Sequence, residues 1–66
     1  MNRNVFGRYP RTLDDLHQVW EKYNHKNPPM PFGEYIINRY ANRKWPEVFE
    51  MVDNWTAYSM VADIFK

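Results

Sequence analysis

Thr12-Leu13-Asp14-Asp15-Leu16-His17-Gln18-Val19-Trp20-Glu21-Lys22-Tyr23-Asn24 is the run that decides the fold class. Leu13, Leu16, Val19, Trp20 and Tyr23 recur every three or four positions, which lays them along one face of an α-helix. Asp14, Gln18, Glu21 and Lys22 fall on the other side. The Thr12 hydroxyl can cap the free N–H groups of the first turn, and Asp14 and Asp15 offset the positive end of the helix dipole. A helix over 12–24 follows, fraying near Asn24, with Trp20 in the core.

On the carboxyl side, the sequence is punctuated by proline. Asn27-Pro28-Pro29-Met30-Pro31 cannot extend a helix, because its three prolines lack N–H donors and fix φ. Residues 25–31 are therefore expected as a semi-rigid connector, with Pro31 at the first position of a second helix over 32–44. Phe32, Ile36, Ile37, Tyr40 and Ala41 would point inward. Asn38, Arg39, Asn42 and Arg43 would share the opposite face. Pro46 opens a third helical run over 46–65, where Val48, Met51, Val52, Trp55, Tyr58, Val61, Ala62 and Phe65 keep helical spacing. Asp53-Asn54 is a capping pair, and a break there into two helices is the narrowly preferred reading. No run of alternating β-branched residues argues for strands.

On the amino side, Gly7 and Pro10 interrupt residues 1–11, which read as an irregular arm. The expected fold is all-α: one domain over 1–66, a small bundle of three or four short helices with an N-terminal arm and a Pro-rich connector.

Sixty-six residues make a chain that usually needs a staple. There are no cysteines, which excludes disulfides, thiolate metal sites and cysteine nucleophiles. Twelve aromatic residues, three Trp, five Tyr and four Phe, supply the missing bulk. No apolar run reaches membrane-spanning length, and Met1–Arg8 does not resemble a signal peptide. A cytoplasmic location is expected, so Asn54-Trp55-Thr56 reads as a chance match to a glycosylation pattern.

Net charge is +1, unevenly spread. Residues 1–44 hold eight Lys/Arg against four acids, and residues 45–66 hold one lysine against four acids. The first part is thus +4 and the second −3, a milder basic excess than nucleic-acid domains usually carry.

Each chemical motif has a plain reading beside its functional one. His17, Glu21 and His25 share a helix face, but no fourth ligand is visible and a surface Glu–His pair accounts for two of them. Ser59 is the only serine, far in sequence from both histidines, and two glycines cannot build a phosphate loop. No catalysis, metal, cofactor or small-molecule substrate is therefore expected. The arm combines Arg3, Arg8 and Arg11 with Phe6 and Tyr9; its rings pack inward with the arginines in water, or the arm contacts another protein, or the rings stack on bases while the arginines hold phosphates.

The aromatic excess carries the preferred reading. Trp55, Tyr58 and Phe65, with neighbouring apolar residues, cover too wide an arc of the last segment for so small a body to shelter. Trp45, beside Pro46, is either a corner plug or an exposed anchor. The expected function is docking on another protein, or on a second copy, as an inhibitor or adaptor. Trp45, Trp55, Tyr58 and Phe65 would be anchors and Arg39, Arg43 and Lys44 a charged rim. The alternative is a nucleic-acid-binding protein using Arg3, Arg8, Arg11, Arg39 and Arg43.

Overall fold

The computed structural model describes residues 5–66. They form an all-α bundle of four helices: α1 (Leu13–Lys26), α2 (Phe32–Tyr40), α3 (Pro46–Phe49) and α4 (Asn54–Asp63). Arg3 lies outside the described residues.

Helix α1 starts as its sequence dictates. The Thr12 hydroxyl accepts the Asp15 N–H at 3.1 Å. Leu16, Val19 and Tyr23 are buried, whereas Leu13 stands exposed on the first turn. The helix runs two residues beyond Asn24. Asn27 ends it in the left-handed conformation at φ 50°, and its N–H donates to the Tyr23 carbonyl at 2.8 Å. Asparagine tolerates that conformation, Lys26 suits the negative end of the dipole, and Pro28 prevents continuation. The Tyr23 hydroxyl then donates to the Met30 carbonyl and ties down the connector.

Helix α2 is shorter than the expected 32–44. It stops at Tyr40 because the arm captures the next backbone groups. Ala41 turns extended and forms an antiparallel bridge with Phe6, and the Asn42 N–H donates to the Val5 carbonyl at 2.6 Å. Asn42 and Arg43 therefore do not continue a helical face with Asn38 and Arg39. Pro31 occupies the N-cap rather than the first helical position. Proline has no capping side chain, so the Phe32 N–H donates instead to Asn54 Oδ1, 2.9 Å away on α4.

The arm is ordered by burial. Val5, Phe6 and Pro10 are buried, and the Phe6 ring lies 6.3 Å from Phe65 in a stacked arrangement. Tyr9 packs edge-on against Tyr40 at 5.6 Å. Burial, then Asp15 and Tyr40, raise the Tyr9 phenol above its ordinary pKa.

Residues 46–65 divide into two helices. Pro46 opens α3, and the Glu50 N–H donates back to the Pro46 carbonyl at 2.9 Å. Asp53 then caps α4. Close approach of α2 to α3 requires Gly33: a methyl group there would sit 1.9 Å from the Val48 carbonyl oxygen. A backbone atom cannot swing aside as a side chain can. The Tyr35 hydroxyl is buried with no hydrogen-bond partner among the described residues.

Gly33→Ala should accordingly force α2 and α3 apart and cost roughly 1–3 kcal/mol, the range for overpacked cores; chemical denaturation measures it, and an unchanged midpoint contradicts the packing. Asn54→Ala should cost about 1 kcal/mol through loss of the α2 cap, with Asn54→Asp largely restoring it in the same assay.

Candidate docking surface

The surface is best approached from the rings that hold it. Phe32 is fully buried, with Trp20 edge-on at 4.9 Å and Tyr23 at 5.2 Å. Tyr58 of α4 approaches both, 4.8 Å from Trp20 and 6.2 Å from Phe32. Trp55 completes the cluster on the outside. Its indole lies parallel to Tyr58, 4° between planes at 5.4 Å, and edge-on to Trp20 at 5.8 Å. Yet Trp55 is 63% exposed. It is a braced aromatic with a free face, so little side-chain entropy remains to be lost when that face is covered.

Local structure explains the bracing. The Asp53 carboxylate accepts the Thr56 N–H at 3.0 Å and also the Thr56 hydroxyl. These bonds start α4 directly before Trp55 and hold the Asp53 carboxyl below its ordinary pKa. The neighbouring Asn54 is engaged internally by Phe32.

The other aromatic anchors expected from sequence sit elsewhere. Trp45 is buried at 7% exposure, a corner plug rather than a free anchor. Its carbonyl accepts from the Val48 and Phe49 N–H groups, and that tight turn folds the indole inward. Tyr58 is half-buried, wedged between Trp20 and Trp55. Phe65 is half-buried against Phe6. Of the four, Trp55 alone is exposed. Two exposed apolar residues join it that the helical pattern had placed inside or passed over: Val52 at 80% and Phe49 at 38%. The pattern failed there because it ran through the α3–α4 break, which resets the face each residue presents.

Beside this run lies an open cleft of about 470 Å³. Ile37, Ala41, Trp45, Pro46 and Phe49 line it with apolar surface, and Asn38, Asn42, Arg43, Lys44 and Glu50 add polar groups. Arg43 and Lys44 thus meet Trp45 around one concavity. Arg39 does not join them; its guanidinium stands 5.5 Å from the centre of the Tyr35 ring. The early end of α2 creates the cleft, a feature that spacing along a continuous 32–44 helix could not reveal.

The remaining motifs are local. His17 and Glu21 pair at 3.1 Å on an exposed face, and among the described residues no three His, Asp or Glu side chains are grouped to hold a metal ion. No helix of the described residues is long and apolar enough to cross a membrane. Arg8 and Arg11 are exposed, but the arm's two rings are turned inward. No family model, curated protein or solved structure matches the chain.

Because the folded Asp53 pKa is depressed, its contribution is present at neutral pH and is lost as pH falls through the carboxylate range. Acidification should therefore loosen the first turn of α4 and the Trp55–Tyr58 stack, read as a change in tryptophan emission. Asp53→Asn should flatten that titration, and an unaltered titration in the variant would refute the assignment.

Proposed function

We propose that this chain is a non-enzymatic protein-docking module, an inhibitor or adaptor that works by covering or recruiting another polypeptide. The observation that carries the reading is Trp55, exposed at 63% yet braced by Tyr58 and Trp20. A solvent-facing tryptophan gains about 25 cal/mol for each Å² of apolar surface removed from water, and tryptophan is among the residues most enriched at interface hot spots. Phe49 and Val52 extend the apolar surface along the chain, and the adjoining cleft offers a socket with Arg43 and Lys44 as its cationic side groups. Three large exposed apolar residues within one short stretch exceed the scattered single ones that need no explanation.

Two observations favour this over nucleic-acid binding. Phe6 and Tyr9 are committed to the protein's own packing, so the arm offers arginines without stacking rings. Arg39 and Arg43 no longer form one helical face after α2 ends at Tyr40.

The test is complex formation in the cells that make the protein, comparing the tagged native chain with Trp55→Ser. Loss of a hot-spot tryptophan should weaken a complex by about 2 kcal/mol or more, roughly thirtyfold, with helix content unchanged by circular dichroism. Recovery of the same complex in equal yield with the variant would end the reading. DNA or RNA binding that disappears at high salt and with Arg8→Ala/Arg11→Ala would move the assignment to nucleic acid.

A further inference from the structure

The exposed apolar side chains are concentrated rather than scattered. Of the four large ones among the described residues, Leu13, Phe49, Val52 and Trp55, the last three fall within one seven-residue stretch. The chain around them is polarised. Arg43 and Lys44 stand at one end of residues 43–55, and Glu47, Glu50 and Asp53 follow, all exposed. Phe49 and Glu50 line the cleft, and the exposed Val52 and Trp55 lie within six positions of Phe49 in the chain.

We propose that residues 43–55 form a self-complementary surface on which a second copy of this chain docks about a two-fold axis. This rests on the docking reading above and names its partner. A two-fold axis reverses the direction of the run in the partner. Arg43 and Lys44 of each copy then face the acidic part of the other, Glu47, Glu50 and Asp53, and the apolar stretch 49–55 meets the partner's cleft. A patch that is both knob and socket is what an isologous contact requires.

Charge selects a copy over a foreign acidic peptide. The cleft's two cations are partly offset by its own Glu50, so it holds little net charge to attract an acid-rich segment. Between copies, Arg43 and Lys44 can meet the acids at 47, 50 and 53, while a total of +1 leaves little long-range repulsion to overcome. Association is also a staple open to a 66-residue chain without disulfides. A standard interface covers roughly 800 Å² per partner, and thirteen residues supply less than that. The dimer should therefore be weak, with a Kd on the order of tens of micromolar.

Sedimentation equilibrium of the full chain from about 1 μM to about 1 mM decides the matter. The native chain should pass from monomer to dimer over that range. Val52→Asp, at a position 80% exposed and so harmless to the core, should weaken the dimer at least about tenfold. R43E/K44E and E47K/E50K should each fail to pair alone, whereas an equimolar mixture of the two should recover a heterodimer. A native chain monomeric throughout, doubly substituted chains that pair like the native one, or a mixture that stays monomeric overturns the proposal. If the native chain is monomeric but still forms a complex that Trp55→Ser abolishes, self-pairing alone is refuted and the docking reading stands.

Discussion

Phe32 is the ring through which α1, α2 and α4 meet. It contributes the first residue of α2, lies fully buried, and is contacted by Trp20 and Tyr23 from α1 and by Tyr58 from α4. Its backbone N–H is held by Asn54 at the start of α4. Side chain and main chain of one residue thus fasten α2 to α1 and α4. Edge-on aromatic contacts add about 0.5–1.5 kcal/mol each beyond area burial, and a chain of this size has few other sources of cohesion. The proline connector delivers Phe32 to this position, with Tyr23 gripping the Met30 carbonyl on the way.

That central packing explains why Trp55 is outside. Tyr58, three residues along α4, takes the place next to Phe32 and Trp20, and Trp55 can reach only the outer faces of Tyr58 and Trp20. The Asp53 cap fixes the start of α4 and hence the direction in which Trp55 leaves it. Surface and core are therefore parts of one aromatic assembly. A change inside it would be felt by the exposed indole.

The second organising event is capture of the α2 end by the arm. The Phe6–Ala41 bridge and the Val5–Asn42 hydrogen bond replace the last turn that α2 would otherwise have made. This opens the cleft between α2 and the Trp45 corner, and separates Arg43 and Lys44 from Arg39. One pairing of distant backbone segments decides the length of a helix, the shape of a concavity and the company its cations keep.

Much of this was legible in local chemistry. The Thr12 cap, the α1 stripe through Leu16, Val19 and Tyr23, the proline boundaries and the capping chemistry of Asp53 depend on neighbours within a few residues, and such signals survive in a linear sequence. The aromatic surplus near the carboxyl end was also readable, because composition alone sets how much ring surface must be housed. What tertiary structure decided is which rings were housed. Trp45, Tyr58 and Phe65 turned inward and Trp55 did not, since the break after Phe49 reset the helical phase and Phe6, fifty-nine positions away, claimed Phe65. The Gly33–Val48 contact and the Asn54 cap on α2 belong to the same class. Each joins residues with no periodic relation, so only the folded chain could bring them together.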